Sequence, residues 1–318
     1  MASSGSYNFA TDRDTLIADA HLYIGAIGEG ETPSANQVTE AARMLNMIVK
    51  LREADGMPLW AIKRGYILPF SGASSINTNS HVVVAYDTTT LGGDEAAAQT
   101  ALTVASITGF SASDQLGIEL DDGSIDWTTI NGAPSGTTIT ATAGLTSAAS
   151  SGNRVFGYTA SSERIQKPLR ILHADILQLD NNTSHPINVV SEQDYFGLGS
   201  RTTEGIPNQI YYSRVPSSDT ALETNGTIFV YPRFSAGDHV IEFTYQRPFM
   251  DFDASTDEPD FPQAFYLPIV IELAALLGPK FGVPLKERVA LFNEAAMYRA
   301  EALMTIQPEG SLFLQPDL

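Results

Sequence analysis

The chain from residue 260 onward places the strongest constraint on the fold. Apolar residues recur there every three or four positions, the spacing that puts side chains on one face of an α-helix. Prolines divide this stretch, because proline breaks the hydrogen-bond ladder of a helix but is accepted in its first turn. The sequence therefore predicts two helices, over 262–278 and 284–304, joined as a helical hairpin. The expected apolar stripe of the second helix consists of Leu285, Val289, Phe292, Ala296 and Leu303.

The tail over 305–318 follows the last predicted helix. Pro308 and Gly310 disfavour its continuation, and an apolar Leu312-Phe313-Leu314 segment comes after them. No later element covers this segment in the sequence, which makes it a candidate for binding a partner. In the alternative interpretation, Phe313 folds back onto Phe292 or its neighbours in the same chain.

Two further helices are predicted near the N-terminus, over 11–28 and 34–55. Thr11 is the expected cap of the first, with Asp14 three residues on, and Gly28 is its expected end. Pro33 and Ser34 precede the second helix. Both ranges show apolar residues at helical spacing.

The middle of the chain is predicted to be β-structure. Residues 163–247 contain short runs of strand-forming residues, and the clearest expected hairpin pairs 227–232 with 239–245. Residues 91–160 alternate short strands with turns, including an Asp121-Asp122-Gly123-Ser124 hairpin signal. Because other segments resume on both sides, 91–160 is interpreted as an inserted all-β module. Small polar residues at its boundaries, Gly92-Gly93 and Ser161-Ser162, predict that it can be excised by joining 90 to 161.

Together these segments predict an α+β fold. It is a helical bundle of two N-terminal and two C-terminal helices, with a β-rich middle region and an inserted small all-β module. The expected core comprises 1–90 and 161–318, the module 91–160, and the tail 305–318.

The charge balance limits the possible partners. The chain carries 37 acidic and 18 basic residues, a formal charge of −19, and such a surface repels the phosphates of nucleic acids. Residues 251–260 contribute an acidic link with no base. The residues of this link that we expect on an acidic channel or a solvent surface are Asp251, Asp253, Asp257 and Glu258.

Motifs that carry chemistry are not found in the sequence. There is no cysteine, which excludes disulfides and thiolate metal sites, and no P-loop, nucleophile elbow or His-Glu-x-x-His motif. The trio Asp121, Asp122 and Asp126 lacks the spacing of an EF-hand loop. Trp60 and Trp127 are interpreted as core anchors. We expect no cofactor, no metal and no enzymatic activity, and no membrane span, since the longest apolar run, 269–277, is short and interrupted by Glu272.

The order of these parts resembles the head-to-tail adaptor proteins of tailed bacteriophages, the head-completion or packaged-DNA-stabilisation class of short-tailed phages. The resemblance covers nearly the whole chain outside the module, and no single motif is diagnostic. The stretches that carry it are 41–49 with 55–60, Lys167-Pro168-Leu169-Arg170-Ile171, Phe229-Val230-Tyr231-Pro232 leading to 243–248, and Asp260-Phe261-Pro262 with the two helices and tail that follow.

The resemblance implies a structural virion protein at the head-tail junction, assembled in the host cytoplasm. It implies a homo-oligomeric ring, expected to be dodecameric, that joins the portal protein to the tail or nozzle protein. Packaged DNA would pass through the ring without specific binding. The residues expected to dock on the portal are Leu312, Phe313, Leu314 and Pro316. Those expected to face other subunits or the portal are Phe265, Leu276, Phe292 and Leu303.

Two alternatives stay open at this level. One is another tail-tube or nozzle component, which would be found with the tail rather than on the portal. The other is a carbohydrate-binding tail protein that uses the β module as its working domain.

Overall fold

A computed structural model describes residues 9, 11–54, 61–165, 167–215 and 225–304. The chain divides into two compact units. The helical unit consists of Met1–Ala61 with Pro248–Leu318, and the β unit consists of Ile62–Arg247.

The described part of the helical unit contains four longer α-helices. They are α1 (Arg13–Tyr23), α2 (Ala35–Ala54), α4 (Tyr266–Leu277) and α5 (Leu285–Met304); the short α3 (Glu192–Phe196) belongs to the β unit. Asp12, rather than Thr11, caps α1, because its carboxylate accepts a 2.8 Å hydrogen bond from the Thr15 amide. Gly25, with a φ of 65°, follows the end of this helix, so α1 stops before the predicted end at Gly28.

The core of the helical unit forms around α4. This helix is apolar on nearly every side and packs against α1, α2 and α5. Leu16, Leu45 and Leu273 are at most 2% exposed at its centre. Burying a leucine side chain stabilises a fold by about 1.5–3 kcal/mol. α4 therefore holds the other three helices together.

A mixed eight-stranded sheet dominates the β unit, in the order β2-β14-β13-β11-β10-β16-β1-β3. Its edge strands β2 and β3 are consecutive in sequence. The strands of this sheet are β1 (Ile62–Ile67), β2 (Ser75–Asn77), β3 (Val82–Val83), β10 (Arg170–Gln178), β11 (Thr183–Val189), β13 (Gln209–Ser213), β14 (Thr227–Tyr231) and β16 (His239–Gln246). β12 (Glu204–Gly205) and β15 (Arg233–Phe234) pair separately.

The predicted hairpin between 227–232 and 239–245 is wrong. β14 pairs with β13 and β2, whereas β16 pairs with β1 and β10, so three strands of the sheet separate the two. Short loops favour pairing of neighbouring strands, but here β15 diverts the chain into its own parallel pair with β12.

The region predicted as an inserted module contains two small sheets. One has the order β4-β9-β6-β7 and the other pairs β5 with β8. The strands are β4 (Asp87–Thr90), β5 (Ala101–Thr103), β6 (Gln115–Glu119), β7 (Ile125–Thr129), β8 (Thr138–Thr140) and β9 (Arg154–Tyr158). The predicted hairpin turn at 121–124 is confirmed, since β6 and β7 pair antiparallel on either side of it. β4 lies before the predicted boundary at residue 91.

The predicted fold class is wrong. The protein is a mixed α/β structure, with five α-helices in the described ranges and a large eight-stranded sheet, rather than a helical bundle with a β-rich middle. The strand signals were recognised, but the sheet pairs strands that are far apart in sequence, such as β1 with β16. Periodicity reports only which local segments are strands. The sequence pattern therefore did not reveal that eight of the strands belong to a single sheet.

Candidate functional site

The structure places the predicted contact residues in different environments. The tail residues Leu312, Phe313, Leu314 and Pro316 lie outside the described residues, as does Trp60. Phe265 is 5% exposed and packs in the helical core, with Leu276 partly buried against the same core. Phe292 and Leu303 on α5 are half-buried. The half-buried pair is thus closer to a protein surface than Phe265 is.

The apolar stripe predicted for α5 faces largely outward. Leu285 is 69% exposed and Val289 is 49% exposed, whereas Ala295 and Ala302 are buried. These two alanines are seven residues apart and so lie on one face, and their small size permits close packing against α4. The bulkier apolar residues are consequently displaced from the core.

The exposed side of α5 forms an apolar surface that we call the α5 ridge. Its members succeed one another at spacings of three and four residues, so they share one face. They are Lys286, Val289, Asn293, Met297, Ala300 and Met304, all exposed. Exposed Glu301, four residues after Met297 and three before Met304, borders this face. On a chain with a formal charge of −19, a largely apolar helix face with a lysine at one end is a surface suited to contact with another molecule.

A second apolar surface lies between α1 and α4, and we call it the α1–α4 groove. The volume of this groove is about 490 Å³. Its lining residues are Phe9, Thr11, Leu16, Asp19, Leu22, Tyr23, Tyr266, Leu267 and Val270. Phe9 (69%), Leu22, Tyr23 and Leu267 are each more than two-fifths exposed. The groove is therefore open, with large apolar side chains presented to solvent.

Asp19 supplies the charge of the groove. Burial beside the apolar walls raises the pKa of its carboxyl above the ordinary value, although the side chain stands exposed at the rim. Among the described residues it forms no ion pair. A cation brought against it would favour the charged carboxylate and offset the cost of this desolvation.

The acidic link is an ordered loop with internal partners. Asp251 forms an ion pair with Lys50 at 2.9 Å. The fold thus brings a base to a link that contains none in its own sequence. Asp257 accepts hydrogen bonds from the Asp253 and Ala254 amides at 2.7 and 2.6 Å. Asp253 and Glu258 are exposed. The placement of this loop on an acidic channel or a solvent surface stays a prediction.

A buried charge cluster ties three helices of the same unit together. Glu272 on α4, with its side chain 8% exposed, accepts from Arg52 Nε at 3.2 Å and lies 3.9 Å from Arg299 Nη1. Arg52 belongs to α2 and Arg299 to α5. The two guanidinium groups neutralise a carboxylate that could not otherwise be buried.

The acidic trio in the β unit is occupied by local hydrogen bonds. Asp121 accepts from the Ser150 amide and hydroxyl and from Asn153, and the first of these bonds is the main reason that its pKa is lowered. Asp126 accepts from Thr146. These carboxylates thus point to separate donors. No group of three or more potential metal ligands occurs among the described residues.

His81 occupies a junction between the sheets of the β unit. Its ring stacks on Trp127, and its Nδ1 lies 3.2 Å from the Tyr158 hydroxyl. Trp127 donates from Nε1 to the Pro69 carbonyl at 3.1 Å. Burial lowers the pKa of His81 to about 4, with a smaller contribution from the nearby Arg164 cation. The arrangement is that of a packing anchor with a neutral imidazole.

One helical stretch in the described part of the chain, Gln263–Phe281, has the length and composition of a membrane span. The sequence predicts no membrane span, because its longest apolar run, 269–277, is short and interrupted by Glu272. Buried residues make up 61% of its apolar window, and the core helix of a folded domain meets the same criterion. It is weak support for a membrane role.

Asp19 and Lys286 were not singled out by sequence reasoning. The available signal is that Met297 and Met304 fall near Val289, a member of the predicted stripe, on one side of the helix. Periodicity identifies an apolar face, but alanines at 295 and 302 decide which face packs closely. No protein-family model matches the chain, and a search of curated proteins finds no similar sequence.

Proposed function

We propose that this chain is a structural, ring-forming adaptor that joins the portal of a tailed bacteriophage to its tail. It would extend the DNA channel and help to retain packaged DNA. The observation that carries the proposal is the largely apolar, exposed α5 ridge on a strongly acidic chain. Copies of a −19 chain repel one another, so they associate only where apolar contact outweighs that repulsion.

The resemblance in the order of parts supplies the partner. The open α1–α4 groove offers a second surface on the same unit, as a subunit with two neighbours requires. The high negative charge suits a conduit along which DNA moves without adhering.

The experiment is electron microscopy of the full chain mixed with the portal protein of the same virion. We expect a ring of adaptor subunits on one end of each portal ring. Native mass measurement should give one adaptor per portal subunit. One or two adaptors per portal ring, or a ring that binds only tail components, contradicts the proposal; the second outcome supports the tail-tube or nozzle alternative.

A mobility shift with duplex DNA provides an independent check. We expect no binding at micromolar protein and about 150 mM salt, since non-specific binders reach roughly this range through clustered Lys and Arg contacts. A clear shift under these conditions argues against a passive conduit.

A further inference from the structure

The α5 ridge and the α1–α4 groove are complementary in form. The ridge presents Val289, Met297 and Met304 along a helix, and the groove presents Phe9 and Leu267 along an open cleft. They share no residue and belong to different helices. A convex apolar helix face fits an apolar groove in a common mode of protein recognition.

The two surfaces are also complementary in charge. The groove carries the carboxylate of Asp19, and the ridge begins with the ammonium group of Lys286. Neither residue forms an ion pair within the described ranges. Among the other five charged residues of α5, Arg288, Glu294 and Arg299 have partners within the same unit, and Glu287 and Glu301 form no ion pair in those ranges. Both charges are therefore available for a contact between molecules.

We infer that the α5 ridge of one copy docks in the α1–α4 groove of a second copy, with Lys286 of the first beside Asp19 of the second. This inference rests on the proposed ring and names the surfaces that close it. Because ridge and groove are different surfaces, the contact is head-to-tail, and such contacts close into rings or continue as filaments.

The size of the contact predicts weak pairwise association. α5 has 20 residues and is about 30 Å long. With a helix width of about 10 Å, one contact covers roughly 300 Å² per partner, below the roughly 800 Å² of a standard stable interface. Free dimers should therefore be sparse, and each subunit in a closed ring gains two contacts.

The absence of cysteine makes cross-linking a clean test. Leu22→Cys places a thiol in the groove and Met297→Cys places one on the ridge. With a short thiol-reactive cross-linker, a mixture of the two full-length variants should yield covalent dimers, and either variant alone should yield few. Met47→Cys is the matched control, because Met47 is a 61% exposed methionine on α2 outside both surfaces. Equal yields from Leu22→Cys with Met297→Cys and with Met47→Cys overturn the inference.

A charge exchange tests the pairing itself. Asp19→Lys and Lys286→Asp each place like charges opposite one another and should weaken self-association by roughly threefold to tenfold, measured by sedimentation equilibrium. The double variant restores opposite charges and should associate nearly as well as the natural chain. A double variant weaker than both single variants overturns the pairing. A small molecule found bound in the groove of the natural chain, and absent from a Leu267→Asp variant, would also overturn the inference.

The outcomes separate this inference from the proposed function. A ring on the portal with cross-links no better than the control means that the ring closes through other surfaces, and the inference fails alone. Specific cross-links without portal binding support the inference, and the adaptor function fails alone.

Discussion

The imidazole of His81 stacks on the indole of Trp127, with ring centroids 3.8 Å apart and planes inclined by 21°. His81 precedes β3 of the large sheet, and Trp127 lies in β7 of the four-stranded sheet. The same residues meet Tyr158, which is 1% exposed and packs with Leu68 and Val240 in a shared core. The two sheets of the β unit are therefore joined by a buried aromatic contact.

This contact predicts acid sensitivity of the β unit. The pKa of His81 is about 4 in the folded protein, against an ordinary value near 6.5. Between these pH values the unfolded chain binds a proton that the folded chain does not, so stability is complete above about pH 6.5 and falls as the pH approaches 4. The loss attributable to this group is at most about 3 kcal/mol.

The measurement is denaturant unfolding from pH 7.5 to 4 for the natural chain and His81→Asn. Asparagine tolerates the positive φ of 53° at this position. The variant should show a shallower decline with falling pH. His185→Asn, a change at an exposed histidine of β11, is the control and should keep the natural slope. Identical slopes for all three proteins would exclude His81 as the source.

Gly117→Ala should destabilise the β unit. A Cβ at this position would lie 2.7 Å from the Trp127 ring, a distance that real Cβ atoms do not adopt. Overpacking of this kind costs about 1–3 kcal/mol. Gly93→Ala is the matched control in the same region, because its Cβ would meet only Thr103 at an ordinary 3.9 Å. Thermal unfolding of both variants checks the difference, and equal melting temperatures would contradict it.

Excision of 91–160 should cost the β unit much of its stability, contrary to the clean removal predicted from the boundary residues. Phe156 and Tyr158 would be lost from the core that they share with Leu68, Val83 and Val240. Each large apolar side chain that becomes exposed forfeits about 1.5–3 kcal/mol. Circular dichroism melting of a chain with 90 joined to 161 tests this. A cooperative transition at the melting temperature of the natural chain would show that the remaining β unit is stable without the module.

Glu272→Gln should destabilise the helical unit by about 1.5–3 kcal/mol, because it removes the carboxylate that pairs with Arg52 and lies near Arg299. The matched control is Glu40→Gln, which removes an ion pair with Lys280 whose two side chains are about two-fifths exposed. Exposed pairs contribute about 0–1 kcal/mol. Denaturant unfolding compares the two losses. A smaller effect at Glu272 than at Glu40 would show that the cluster contributes little.

Deletion of 306–318 should leave the melting temperature of the free chain nearly unchanged and abolish assembly with the portal. The reason is the sequence of the segment, which carries an apolar Leu312-Phe313-Leu314 run after the helix-breaking Pro308 and Gly310 and therefore suits binding to a partner. Calorimetry and co-sedimentation with the portal measure the two effects. A lower melting temperature with portal binding retained favours the fold-back of Phe313 onto its own chain.

Local elements were largely predictable from the sequence, and their assembly was not. The helix expected over 34–55 runs Ala35–Ala54, and that expected over 284–304 runs Leu285–Met304. Both depend on periodicity and proline positions, which act over a few residues. The orientation of α5 depends on how closely Ala295 and Ala302 approach α4, which is a property of the packed pair. The partners of β14 and β16 likewise depend on strands far away in sequence.

The same limit applies to the candidate surfaces. Lys286 is one of several exposed charges by sequence, and Asp19 is one of 37 acids. Only the fold shows that Asp19 stands in an apolar groove and that Lys286 heads an exposed apolar face.

The short edges of the eight-stranded sheet have a consequence for solubility. β2 has three residues and β3 has two, and only residues 78–81 separate them in the chain. A long unpaired edge strand offers a template on which another chain can add by backbone hydrogen bonds, the usual start of sheet aggregation. These two edges offer almost no such template, and Thr78 between them is fully buried. Strand-to-strand joining of copies through β2 or β3 is therefore disfavoured, because each strand offers at most three residues for pairing.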